Sequence, residues 1–189
     1  MKKLLTLAFL VAGGPALAHT GHGPANGFVQ GLAHPVFGAD HLLAMLAVGL
    51  WSGFVLPRRF WAGAVAFMSA MAAGAALSWS GFGYPAVEGA ILASVVAFGA
   101  LVLFARHGQP PLATAASLGA IAVFASAHGH AHASEAAGTI SHYLAGFLIS
   151  TAVLHLVGVG IARAVAESLT AKRALGVAIA GSGLWLALT

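Results

Sequence analysis

Three ionisable side chains, His34, Asp40 and His41, stand in a stretch that is otherwise apolar, His34-Pro35-Val36-Phe37-Gly38-Ala39-Asp40-His41. It runs on as Leu42-Leu43-Ala44-Met45-Leu46-Ala47-Val48-Gly49-Leu50-Trp51. In a bilayer core each such group costs roughly 2.5–3.5 kcal/mol on insertion scales. A lipid-facing segment that keeps three of them has a use for them. Imidazole with carboxylate is the donor set of a borderline transition-metal ion. The chemistry indicated is the holding, or the passage, of a metal within a membrane.

Spacing narrows the options. His34 and His41 share a helix face, yet along an unbroken helix they lie about 10.5 Å apart at 1.5 Å per residue. Metal–nitrogen bonds of about 2.0–2.1 Å do not bridge that gap. Either the helix breaks at Pro35 and Gly38 so that the residues converge on one ion, or they form two stations of a relay. Broken helices at mid-membrane sites are a transporter device, and Pro35 with Gly38 favours the break. Asp40 and His41 point about 100° apart around the axis, so they reach one ion with some bending or from a crevice between helices. Met45 follows His41 by one turn and offers a soft thioether, although methionine at helical spacing more often packs. Glu88 is the sole carboxylate of its span: a ligand, a partner that orients an imidazole, or a snorkelled interfacial group. Its place among the histidines favours the first two.

A second cluster is His128-Gly129-His130-Ala131-His132, with Glu135 beyond. As composition it suggests metal capture; the alternative is a solvated loop of titratable residues. His155 reads equally as a further ligand or as a bundle histidine satisfied by a backbone carbonyl. His107, beside Arg106, reads as interfacial.

The elements that position these residues follow from composition. Of 189 residues, 60% are hydrophobic and 6% charged, against about 25% charged in a soluble domain. The solvent of this chain is mostly lipid. There are no cysteines, which removes disulfides, thiolate metal sites and cysteine nucleophiles. Ten histidines against four acidic residues is a skew toward metal chemistry. Residues 1–18 read as a secretory signal: Lys2-Lys3, an apolar run from Leu4 to Ala12, a break at Gly13-Gly14-Pro15, and Ala16-Leu17-Ala18 for cleavage. Cleavage makes His19 the new N-terminus, whose amine and imidazole chelate together with His22 nearby. Residues 19–189 then form one domain, an all-α polytopic bundle. Six spans are expected, near 28–56, 60–80, 85–105, 111–128, 138–162 and 172–188.

The positive-inside rule sets the orientation. With the mature N-terminus periplasmic, Arg58, Arg59, Arg106, Arg163, Lys172 and Arg173 all fall on the cytoplasmic side of an inner membrane. That accounts for the net charge of +4 without a nucleic-acid partner. His19, His22, His34, His128, His130, His132, Glu135 and His142 fall in the outer half or outside. Asp40 and His41 lie deeper, and His155 deeper again. Trp51 and Trp61 are expected at the inner boundary, Trp79 and Tyr84 at the outer one. Ala62, Ala66, Ala70 and Gly74 form a small-residue stripe suited to close helix packing.

These pieces resemble the HupE/UreJ group of bacterial nickel or cobalt permeases, associated with hydrogenase and urease maturation. The resemblance spans essentially the whole chain. It is carried by H-x5-D-H at His34, Asp40 and His41, by Glu88 and Ser94, and by the His-Gly-x-Ala-His pattern at His128, Gly129, Ala131 and His132. Tyr143, Gly146, Thr151, Leu154, His155 and Gly158 add to it. It implies secondary uptake of Ni²⁺, with His34, Asp40, His41, Glu88 and His128 as metal contacts. Ala133 stands where the pattern carries glycine. No nucleotide-binding loop is present and no resident cofactor is expected. The partners are a divalent ion and the lipid bilayer, with homo-oligomerisation left open. Two rivals remain: a membrane metalloenzyme, disfavoured by the lack of H-E-x-x-H, and a metal-binding accessory protein that does not transport.

Overall fold

A computed structural model describes residues 27–135 and 140–189. The expected signal segment, its cleavage site, His19 and His22 lie outside the described residues, as do the side chains of Ser134 and Glu135. The described chain is helical, with α1 (Gly27–Phe37), α2 (Ala39–Val55), α3 (Ala62–Trp79), α4 (Val87–Phe104), α5 (Pro111–Glu135), α6 (Ile140–Ala164) and α7 (Leu169–Leu188). Helices α3 to α7 are each long and apolar enough to cross a bilayer, and α1 with α2, bent by 76° at the break, qualifies only as a pair, a broken span or a re-entrant loop. In hydrocarbon every backbone group must be satisfied within its own segment, which is why a chain this apolar folds as helices.

Helix α2 is the hub. Ala44, Met45, Ala47, Val48, Leu50 and Trp51 are all nearly inaccessible, because α2 packs against α6, α4, α3, α1 and α7. The other principal pairs are α3 with α5, α4 with α7, and α1 with α6. Small residues set these distances. A Cβ on Gly49 would overlap the His155 carbonyl, and one on Gly129 would overlap the Met71 carbonyl. Hence α2 seats on α6, and α5 on α3, with backbones in contact.

Three details depart from expectation. The fourth span continues to Glu135, so the histidine tract is helical rather than a loop. Trp51 is 1% exposed and fills the core instead of the boundary, whereas Trp61 and Trp79 are exposed at the bundle surface. The buried face of α3 is Gly63, Phe67, Met71, Gly74 and Ala75, so the stripe of alanines is offset from its centre, with Ala66 and Ala70 packing at its side.

The basic residues gather at one end. Lys172 Nζ donates to the Ala105 carbonyl at 2.7 Å, closing the end of α4. Arg163 lies 4.9 Å over the Phe60 ring. A hollow lined by Phe54, Pro57, Ala105, His107, Glu167 and Lys172 opens at this end.

Candidate metal site

The site begins with the broken span. Pro35, inside α1, has no N–H for the preceding turn. Gly38 is extended at φ −81°, ψ 111° and caps α2. The chain turns there, leaving His34 in the last turn of α1 and Asp40 in the first turn of α2. The bend brings the His34 and His41 rings to 5.4 Å between centroids. Of the two geometries left open by spacing, convergence is the one adopted.

Helix α5 supplies the rest. His128 and His132 are one turn apart on the same face. The His132 ring lies edge-on 4.7 Å from His34 and tilted 4.5 Å from His41, and His128 lies 4.9 Å from His41. His34, His41 and His132 each offer a ring nitrogen, all within 4.8 Å of one another. Donors bound to one ion at about 2.05 Å sit roughly 2.9–3.4 Å apart, so to hold one ion the trio would have to draw in by at most about 1.5–2 Å. The setting is largely buried: His41 is 7% exposed, His132 3% and the neighbouring His128 0%, while His34 is half-buried. Tyr143 and Phe147 of α6 wall the cluster, Phe147 lying 4.3 Å from the His132 ring.

The hydrogen bonds fix which nitrogens are available. The Asp40 carboxylate accepts from the His41 backbone N–H at 2.8 Å and from His41 Nδ1–H at 2.7 Å. His41 therefore keeps its lone pair on Nε2, a buried atom with no hydrogen-bond partner among the described residues. Ser94 Oγ donates its single proton to the Ile91 carbonyl at 2.6 Å. It must then accept from His128 Nε2–H, 2.9 Å away. That leaves the lone pair of His128 on Nδ1, likewise buried without a partner. An imidazole whose N–H is held by a carboxylate or another fixed acceptor is the usual form of a metal-ligating histidine. Asp40 at the start of α2 also sits where the helix dipole favours a carboxylate.

The remaining sequence candidates fall elsewhere. Glu88 is exposed on the first turn of α4 and is not among the gathered residues. His130 Nε2–H donates to the Phe82 carbonyl at 2.7 Å, tying α5 to the α3–α4 connection. His142 and His107 are exposed. Glu135 ends α5. His155 is buried in α6, away from the trio, with Phe67 beside it. Met45 is wholly buried in the core of α2.

Phe67 and Phe147 were not singled out by sequence. Phe147 had a signal: Tyr143, Phe147, Thr151 and His155 recur every four residues along one face of α6, and all are buried. Phe67, an aromatic among small residues, had none.

The HupE / UreJ protein family model matches residues 7–186. Among curated proteins, the chain is 40% identical to Protein HupE of Rhizobium leguminosarum bv. viciae over 186 residues, 95% of this chain and 94% of that one. No solved structure matches.

Proposed function

The chain belongs to the HupE/UreJ family of membrane proteins, and from that premise we propose that it is a secondary permease for Ni²⁺, with Co²⁺ the nearest competing cargo. It is not an enzyme; the family comprises transporter-type accessory proteins tied to hydrogenase and urease. The natural placement is the bacterial inner membrane with the mature N-terminus periplasmic. The single observation that supports cargo handling is the gathering of ring nitrogens of His34, His41 and His132, from α1, α2 and α5, two of them on buried residues.

In this reading those three imidazoles replace part of the ion's hydration shell. Asp40 orients His41 and supplies the negative charge that offsets desolvation of a dication. His128 stands next inward. The membrane potential supplies the drive, roughly 4.6 kcal/mol for a divalent ion at 100 mV. Imidazole and carboxylate suit both Ni²⁺ and Co²⁺, and selectivity between them comes from geometry rather than the affinity order.

The test is uptake of radioactive nickel by sealed vesicles containing only the purified protein. Saturable uptake is expected, with Co²⁺ competing better than Zn²⁺. Ligating imidazoles must be neutral, so uptake should decline as the outer medium is acidified. Binding in detergent without any vesicle uptake would favour an accessory binding protein instead.

A further inference from the structure

Inward of the imidazole cluster the line of rings continues. Phe67 of α3 packs against two histidines, its centroid 5.5 Å from His128 and 5.3 Å from His155. Phe67 is 0% exposed. His155 Nδ1–H donates to the Thr151 carbonyl at 2.7 Å. The proton is thereby fixed on Nδ1, and the lone pair is left on Nε2. That atom is buried and has no hydrogen-bond partner among the described residues.

It has company. Thr151 Oγ1, one turn earlier on the same face of α6, is also buried without a partner, and so is Ser52 Oγ of α2. Ser52 packs directly against Gly63, one turn before Phe67 on α3. Leaving a buried polar atom unsatisfied costs about 1–3 kcal/mol. The bare His155 Nε2, on the ring that packs against Phe67, is a standing cost that a ligand would remove. A histidine serving only to fill the core would not need its second nitrogen left bare.

Resting on the reading of Ni²⁺ as cargo, we propose that His155 Nε2 is a second, inner cation station, and that the Phe67 ring is the gate between it and the outer cluster. The outer site offers three imidazoles with a carboxylate behind them. The inner one offers a single imidazole. Transport requires a site strong enough to capture and a later one weak enough to release. The fall in donor strength from outer to inner gives that order. An apolar ring between them keeps water from forming a continuous path, as hydrophobic constrictions do.

The test uses the full-length protein with inorganic Ni²⁺, measuring equilibrium binding in detergent and uptake into proteoliposomes. His155→Asn keeps an N–H aimed at the Thr151 carbonyl but deletes Nε2. Binding at the outer site should stay within about twofold of wild type while uptake drops at least about tenfold, the scale of a lost ligand contact. Phe67→Ala should admit Mg²⁺ to vesicles that the wild type excludes, and Phe67→Leu should restore exclusion. Wild-type uptake in His155→Asn, or loss of outer-site binding in that variant, overturns the inner station. Exclusion of Mg²⁺ by Phe67→Ala overturns the gate. If the wild type itself neither binds nor takes up Ni²⁺, the cargo assignment fails instead, and the two failures are told apart.

Discussion

At the residue scale the decisive feature is the division of labour between neighbours. Asp40 and His41 both carry suitable donors, and spacing alone left either as a ligand. The carboxylate instead holds Nδ1–H of His41 at 2.7 Å, which aims Nε2 at the cluster. Removing such an orienting partner typically costs about 10–100-fold in metal affinity. Asp40→Asn retains an acceptor but loses the charge, so nickel affinity should fall about tenfold, and Asp40→Ala should fall nearer 100-fold. Titration calorimetry with Ni²⁺ in detergent measures both; wild-type affinity in Asp40→Ala would show that the carboxylate does nothing for the ion. His34, His41, His128 and His132 were legible because histidine is costly in an apolar helix. The pairing of Ser94 with His128 was not, since it depends on the rotation of α4 against α5.

At the element scale the break in the first span does the work that a continuous helix cannot. Pro35 and Gly38 marked the break in sequence, but not its 76° angle, across which α1 and α2 both pack on α6 and α2 also on α4. Gly38 also sits close to the pair: a Cβ there would lie 3.1 Å from His41 Nδ1 and 3.2 Å from Asp40 Oδ1, so those side chains would have to shift slightly. Alanine is favoured over glycine in helices by about 1 kcal/mol, which pulls toward a straighter segment. Gly38→Ala should therefore weaken nickel binding at least about tenfold, the scale of a lost orienting contact, with helical circular dichroism unchanged. Unaltered binding would mean that the bend is not what assembles the site. The number of spans was readable from hydropathy. The extra turns of α5 were not, because histidines at a span's end look like a loop until a partner helix covers them. Glu88 attracted attention as a lone carboxylate in an apolar run, yet it sits on the first turn of α4, where exposure is available to it.

At the scale of the whole molecule, two poles stand out. Imidazoles gather where α1 meets α2 and α5 ends, while Arg58, Arg59, Arg106, Lys172 and Arg173 cluster at the opposite helix ends. The polarity gives the pathway its direction and makes orientation testable. The chain has no cysteine, so single cysteines report cleanly. Gly83→Cys should react with an impermeant maleimide added outside whole cells, and His107→Cys should react only after lysis; the reverse pattern would invert the proposed path. The central claim is narrower than direction: imidazoles from separate helices hold the ion together. X-ray absorption at the nickel edge of the loaded protein tests it most directly. The account expects about three imidazole ligands with metal–nitrogen distances near 2.1 Å, one of them lost in His132→Asn. A shell of oxygens alone, or one indifferent to His132, would contradict it.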